Sequence, residues 1–564
     1  MEIKQALSNI IAERAGLQPC DVMEWFETPK DPAMGDVAFP CFRLAKAMRK
    51  PPNAIAAELA DGLALPDGVC RAEAAGGYLN FFADKSSFAE NTLKRVFAEG
   101  EGYGGSSRGS GKTVCLDYSS INIAKPFHIG HLSSTAIGNA LKRIYDHLGY
   151  RTVSINHLGD WGTQFGKMIL AYKLWGDRES VENGSVRELM RLYVRFHDEA
   201  EKDPSLNDQA RAWFRRIEEH DPEAWELFEW FKDITLKEVG RVYELLGVEF
   251  DSYLGESFYE DKMAPVVDEL RQKGLLKVDQ GASIVDLTEY SMPPCIILRS
   301  DGATLYATRD LATAIYRKAE YNFDKMLYVV AYQQNLHFQQ LFKVLGLMGR
   351  DWVKNCVHVN FGMVSMKEGT LSTRKGQVVF LEDVLNASIE KTYKIIEEKS
   401  PDLDDKAAVA RQVGVGAVVW GVLYNNRIKD IVFSWDKALN FDGETGPYAQ
   451  YTHARCCSVI RKAGGYDRHS IDYSILTDGY SAALIRAIAD FPQAVLDAAD
   501  KYEPYVVSRA VINVCSCFNK FYYELRIMDD DSAVRNARLA LTDAARTVIS
   551  TGLRLVGLNA PERM

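Results

Sequence analysis

Asp117–Tyr118–Ser119–Ser120–Ile121–Asn122–Ile123–Ala124–Lys125–Pro126–Phe127–His128–Ile129–Gly130–His131 reads as a strand end, a loop of small residues and the opening turn of a helix carrying two histidines. Upstream, Thr113 to Tyr118 has the apolar run of a buried strand; downstream, Leu132, Ile137, Leu141, Ile144 and Leu148 recur at helical spacing. A helix start offers unpaired N–H groups and a positive dipole end to phosphates, and side chains three apart share one side of its first turn. Gly130 omits a side chain where a flat base could lie against the backbone. The stretch reads as an ATP-activating site. A bare His-x-Gly-His also arises as a capped helix with one surface histidine, so its surroundings decide.

Working outward, Thr152 to Asn156, Ser283 to Leu287, Lys325 to Ala331 and Cys356 to Asn360 read as strands with helices between several of them. The alternation predicts an α/β core with a doubly wound parallel sheet, whose ligands lie outside the carboxyl ends of the strands, where the histidine loop falls. A charged helical block from about 180 to 255 interrupts it and reads as an insertion packed on the core. Beyond about Asp404 strand signals fade. Leu484, Ile485, Ile488, Phe491, Val495 and Leu496 share one helical face, so the C-terminal part should be an all-α bundle. Ahead of the core, an α+β N-terminal domain is closed by the glycine- and serine-rich residues 101–111, which read as a linker. The expected domains are 1–108, 109–435 and 436–564.

The chain has 564 residues, 47% hydrophobic and 26% charged, as in an ordinary globular protein of several domains. No apolar run looks long enough to span a bilayer, and Met1–Glu2–Ile3–Lys4–Gln5 lacks a signal-peptide pattern, so the expectation is a cytoplasmic protein without a membrane partner. Ten cysteines without a Cys-x-x-Cys or a nearby zinc-spaced His predict free thiols and no zinc. A formal net charge of -10 argues against indiscriminate nucleic-acid binding and leaves local basic patches open. Arg43, Lys46, Arg49 and Lys50, ahead of Pro51–Pro52, form either one basic helix face or a solvated surface.

His128–Ile129–Gly130–His131 matches the first signature of class I aminoacyl-tRNA synthetases. Asn156–His157–Leu158–Gly159–Asp160–Trp161–Gly162–Thr163–Gln164–Phe165–Gly166, Tyr306–Ala307–Thr308–Arg309–Asp310 and Phe441–Asp442–Gly443–Glu444–Thr445–Gly446–Pro447–Tyr448 follow in the order found in one family. The chain resembles the arginyl-tRNA synthetases. The resemblance implies a Rossmann-type core with a connective insertion, stem-contact helices after about residue 380, and a helical anticodon-binding domain. It also implies ATP with Mg²⁺, L-arginine and tRNA(Arg) as partners, an arginyl-adenylate intermediate, and a monomer. No separate editing domain is evident.

By that resemblance His128, Gly130, His131 and Lys125 serve catalysis, the histidines as donors to the phosphoryl oxygens of the transition state. The second signature of the class, Lys-Met-Ser-Lys-Ser, corresponds to Lys367–Glu368–Gly369–Thr370–Leu371–Ser372–Thr373–Arg374–Lys375–Gly376. Aligned on Ser372, both signature lysines are threonines, Thr370 and Thr373, which supply hydrogen bonds but no charge. Lys125 is the first substitute cation, with Arg374 and Lys375 next, or else a solvated loop lysine; Ser372, Thr373, Arg374 and Lys375 form the candidate ATP loop.

The resemblance places the substrate's guanidinium on Tyr306 and Asp310. It places the main-chain end on Ser120, Ile121, Asn122, Gln334 and His131. A planar fork of five donors needs a carboxylate in fixed geometry. Asp310 could instead cap a helix starting near Leu311. Ile121 stands where the family usually has proline, which predicts a less rigid loop. For tRNA the candidates are Tyr78 and Asn80 on a strand, then Tyr448, Tyr522 and the terminal Met564, among helices where Gln450, Tyr451, His453, Arg455 and Arg461 interleave aromatics and cations. The alternatives are another class I nucleotidyl transferase, disfavoured by tRNA-type domains at both ends, and a synthetase-like RNA-binding protein without catalysis, which the missing loop lysines support.

Overall fold

Val37–Pro40 (β1), Val69–Ala75 (β2) and Tyr78–Ala83 (β3) pair antiparallel in the order β1-β3-β2 in the computed structural model, which describes residues 2–29, 31, 34–66, 68–366 and 379–564. This sheet packs Phe39, Leu79 and Phe81 against Leu7, Ile11, Ile55 and Leu59 from flanking helices. It belongs to a unit made of Met1–Gly100, Val459–Ala489 and Ser516–Thr547; the second unit comprises Glu101–Ser458, Asp490–Cys515 and Val548–Met564. The C-terminal helices thus contribute to both. Arg43, Lys46, Arg49 and Lys50 do not share a helix face. Cys41–Arg43 is a 3-10 turn, the helix Ala45–Met48 stops where Arg49 turns left-handed (φ 54°), and Lys50 pairs with Glu58 at 2.6 Å.

In the second unit, Thr113–Asp117 (β4) and Arg151–Ile155 (β5) are followed by Leu276–Asp279 (β6), Ala282–Val285 (β7), Cys295–Leu298 (β8), Lys325–Tyr328 (β9), Cys356–His358 (β10), Val364–Met366 (β11) and Ile431–Phe433 (β12). β10-β9-β4-β5 form one parallel sheet. Val114, Cys115 and Leu116 are all fully buried, as a parallel strand covered on both faces requires. From β4 the chain moves outward to β5 on one side and later to β9 and β10 on the other, so the strand order reverses between β4 and β9. Asp117, level with Ile155 and Tyr328, marks the carboxyl ends at that reversal.

Four expectations are corrected. Ser283 to Leu287 does not enter the parallel sheet: β6-β7-β8 is a separate antiparallel sheet, because Gln280 and Gly281, both at positive φ, make a two-residue hairpin turn. Past Asp404 a strand does occur, β12, parallel to β11. Residues 101–111 are not a loose linker, since Tyr103 is 1% exposed and stacks on Phe491, and Arg108 pairs with Asp500 at 2.7 Å. One helix, Lys406–Leu423, is long and apolar enough to cross a membrane by length and composition; 67% of it is buried inside the fold, which accounts for its apolar character as core.

The charged block folds as Arg178–Lys202, whose helix is kinked at Ser185 (φ 52°), Ser205–Glu218 and Pro222–Leu246. Asp177 and Asp221 cap the first and third by accepting from the Ser180 and Ala224 N–H groups, and Pro222 occupies the first turn where no N–H is needed. Their inner faces meet edge-on aromatics: Trp161 on Phe214 and Phe165 on Phe228, with centroids 5.4 and 5.2 Å apart.

Candidate active site

The loop leaving β4 is held in a conformation it would not choose alone. Ser119, Ser120 and Ala124 all have positive φ (70°, 47° and 56°), an uncommon region for residues with a Cβ. Buried hydrogen bonds enforce it. Ser119 N–H donates to Ser134 Oγ (2.8 Å), whose hydroxyl donates to the Val329 carbonyl (2.7 Å). Ala124 N–H donates to Thr235 Oγ1 (3.0 Å), and Asn156 Nδ2 donates to the Tyr243 hydroxyl (2.8 Å), itself 2.7 Å from Ser119 Oγ. At Ile121 the loop is not loosened. Its N–H, which proline would lack, donates to Asn156 Oδ1 (3.4 Å), its carbonyl accepts from Gly159 N–H (2.8 Å), and its side chain is 2% exposed.

His128 precedes a 3-10 turn, Ile129–His131, that runs into the helix Leu132–His147. Gly130 N–H donates to His128 Nδ1 (3.0 Å), and His128 N–H donates to His131 Nδ1 (3.2 Å), a reciprocal capping box. His128 Nδ1, which accepts, carries no proton, so the neutral His128 ring keeps its proton on Nε2; His131 Nδ1 also lies 3.3 Å from the His128 carbonyl and can accept from the N–H or donate to that carbonyl. Burial lowers the His128 pKa; burial together with the neighbouring His128 pushes His131 down to about 3. The pair is therefore two neutral imidazoles 4.1 Å apart between ring centroids. The space beside Gly130 is taken by the His128 ring, whose Cε1 lies 2.7 Å from where a Cβ would stand, rather than left for a base.

Asn122, Lys125, His128 and His131 line a cleft of about 590 Å³ whose other wall is the helix Arg178–Lys202, through Met190, Tyr193, Val194, His197, Asp198 and Glu201. Sequence reading took that helix only as an insertion. Burial lowers the Lys125 pKa, and Glu256 opposes the shift. Val379–Leu381 pair with Phe127–Ile129, Ile129 N–H donating to the Val379 carbonyl (3.2 Å) and Leu381 N–H to the Phe127 carbonyl (2.9 Å). The candidate ATP-loop residues Ser372, Thr373, Arg374 and Lys375 lie outside the described residues.

Asp310 lies within the helix Tyr306–Tyr321, one turn after Tyr306, so it does not cap a helix start. Its Oδ2 is 2.6 Å from His337 Nε2, and the His337 ring lies 4.5 Å from that of Tyr306. Gln334, three residues before His337, precedes the helix Asn335–Leu347. Ser120 Oγ donates to Asp117 Oδ1 (3.0 Å), while Arg317, 1% exposed, donates to Asp117 Oδ2 (2.7 Å). Arg309 faces Glu256 at 3.6 Å and Lys232 faces Asp160 at 3.1 Å. Burial pushes the Glu256 carboxyl up to about 7, against the pull of Arg309. His337, Arg317, Arg309 and Glu256 escaped the sequence reading, although His337 sits three residues past Gln334.

The tRNA candidates fall in both units. In the first, Tyr78 is half-buried, edge-on to Phe42 (5.0 Å), and Tyr522 is 36% exposed. Asn80 is withdrawn from the surface: on β3, the middle strand of its sheet, it is 5% exposed and offers no edge to a base. In the second, Tyr448 and Met564 are half-buried. Gln450 and His453 turn inward to the C-terminal tail, Gln450 Nε2 donating to the Asn559 carbonyl (2.8 Å) and His453 Nδ1 lying 2.9 Å from the Pro561 carbonyl.

A parallel sheet whose crevice of reversed strand order carries a His-x-Gly-His turn defines the catalytic core of a class I aminoacyl-tRNA synthetase. The family described as "tRNA synthetases class I (R), catalytic domain" matches residues 92–435, the "DALR anticodon binding domain" 449–564 and the "Arginyl tRNA synthetase N terminal domain" 1–83. The chain belongs to the arginyl-tRNA synthetase family. It is 54% identical to the arginine–tRNA ligase of Clostridioides difficile (strain 630) and 51% identical to that of Alkaliphilus metalliredigens (strain QYMF), with all of each chain covered. Among solved structures it is similar to Thermus thermophilus arginyl-tRNA synthetase (TM-score 0.79, 26% identity, 100% of both chains). The Plasmodium falciparum arginyl-tRNA synthetase shares the fold (TM-score 0.78, 22% identity, 96% of this chain and 94% of that one).

Proposed function

We infer that the chain ligates L-arginine to tRNA(Arg) with ATP, through an arginyl-adenylate, releasing AMP and pyrophosphate. The observation that carries the choice of amino acid is the distribution of charge at the crevice. Asp117, Asp160 and Glu256 each face a permanent or near-permanent cation, Arg317, Lys232 and Arg309. Asp310 faces an imidazole rather than a permanent cation, which leaves its charge for a guanidinium. In this reading Asp310 and Tyr306 hold the fork, and Ser120, Ile121, Asn122 and Gln334 hold the main-chain end.

Attack of the arginine carboxylate on the α-phosphorus of ATP builds charge on the phosphoryl oxygens, and His128, through its Nε2–H, and His131 are the donors proposed to meet it. Their neutrality suits hydrogen bonding, while Lys125 beside them supplies positive charge. Mg²⁺ belongs to the proposal as the companion of ATP, carried by the phosphates and water. The arginyl group then passes to a ribose hydroxyl of the terminal adenosine. For the tRNA itself we propose Tyr78, Tyr448, Tyr522 and Met564 as contacts. A cytoplasmic monomer without zinc completes the reading.

Charging purified total tRNA with a panel of labelled amino acids, beside ATP–pyrophosphate exchange with and without tRNA, tests it. Arginine alone should be charged. Charging of another amino acid would undo the pocket assignment, and tight tRNA binding without charging would undo the catalytic one.

A further inference from the structure

His337 occupies the carboxylate proposed to bind the substrate. Its Nε2 lies 2.6 Å from Asp310 Oδ2, and the two side chains are 14% and 16% exposed. It projects from the first turn of the helix Asn335–Leu347, and its ring is fixed between Tyr306 (4.5 Å) and Phe338 (5.4 Å). An ionised carboxylate has about four lone-pair directions, of which a bidentate guanidinium uses two. One donor from His337 therefore leaves room for the fork.

We propose that His337 is a positioning residue for arginine, donating from Nε2 to Asp310 and so fixing the carboxylate for the guanidinium. The inference rests on the reading of Asp310 as the guanidinium's partner. It predicts that loss of this donor falls on the arginine KM rather than on kcat, and that another N–H donor at the position restores the KM. The ring is itself held by its neighbours, Tyr306 on one side and Phe338 on the other, with His358 from β10 stacked on Phe338 (4.3 Å) and its Nε2 2.9 Å from the Val330 carbonyl.

The test is the arginine KM and kcat in aminoacylation at saturating ATP and tRNA for the wild type, His337→Gln, His337→Leu and Asp310→Asn. His337→Gln keeps an N–H donor, so its KM should stay within about threefold of wild type. His337→Leu should raise KM roughly 10- to 100-fold, with kcat changed far less. A wild-type arginine KM in His337→Leu, or a His337→Gln enzyme as impaired as His337→Leu, overturns the proposal. A normal arginine KM in Asp310→Asn would instead overturn the guanidinium reading beneath it.

Discussion

Asp310→Asn keeps the shape of the side chain, removes its charge and isolates the proposed guanidinium contact. The carboxylate is 16% exposed and, among the described residues, has no permanent cation beside it, so the substrate would supply its only full counter-charge. Removing one partner of a buried pair costs roughly 3–5 kcal/mol. At about 1.36 kcal/mol per decade that is about 150- to 5,000-fold, and the residual exposure argues for the lower part, on the order of 100- to 1,000-fold. The loss should fall on kcat/KM for arginine, with the KM for ATP unchanged within about twofold, since the His128 cleft is untouched. Folding should survive, because the new amide oxygen can still accept from His337. A second readout comes from citrulline, which lacks the charge. The wild type should reject it because it would leave Asp310 uncompensated, and the amide variant should lose most of that preference. Measured by aminoacylation with both amino acids, a kcat/KM for arginine within threefold of wild type, or an unchanged arginine-to-citrulline ratio, would remove Asp310 from the guanidinium site.

His128→Ala removes a cap and a donor together: single-turnover adenylate formation should slow about 100- to 1,000-fold, while calorimetry should find a stability loss of only about 1 kcal/mol. Gly159→Ala would drive a methyl into Asn122 Oδ1; the side chain can swing away, so the expected result is a roughly tenfold higher arginine KM in a protein that melts near the wild-type temperature. Glu256→Gln tests a raised carboxyl. With its folded pKa near 7 against 4.5 unfolded, the neutral form's stabilisation is complete below pH 4.5 and lost as pH rises through 7, where charging has cost about 3 kcal/mol. The melting temperature of this variant relative to wild type should therefore climb between pH 5 and pH 8, and a pH-independent difference would count against burial as the cause.

What could be read from the chain was what lies close together along it. The β4 strand, the small-residue loop and the histidine turn occupy some twenty consecutive residues, and Tyr306 and Asp310 are one helical turn apart. Periodicity announces an element and its buried face but does not name its partner. The Asp117–Arg317 pair joins residues 200 apart, His337 reaches Asp310 across 27, and neither contact leaves a local trace. The same limit explains β7, whose apolar residues suit either sheet until the Gln280–Gly281 turn folds it back on β6. It explains Asn80 too, since alternation places it on the face of Tyr78 but cannot say that the middle strand is covered there.

The two sequence readings of His128 and His131, a capped helix and a pair of phosphate donors, describe one arrangement. Capping uses His128 Nδ1 as the acceptor of the Gly130 N–H, and for a neutral imidazole that leaves the proton on Nε2. Burial favours the neutral form of both rings, so the His128 donor is set before any nucleotide arrives and need not reorganise as charge develops. Gly130 belongs to the same device. A Cβ there would meet the His128 ring at 2.7 Å and turn it off its cap, so the glycine acts on the histidine rather than on the base. The local bond that stabilises the turn is thus the one that chooses the His128 tautomer, and a substitution that spares Nε2 of His128 but breaks its Nδ1 contact should lose activity as surely as loss of the ring.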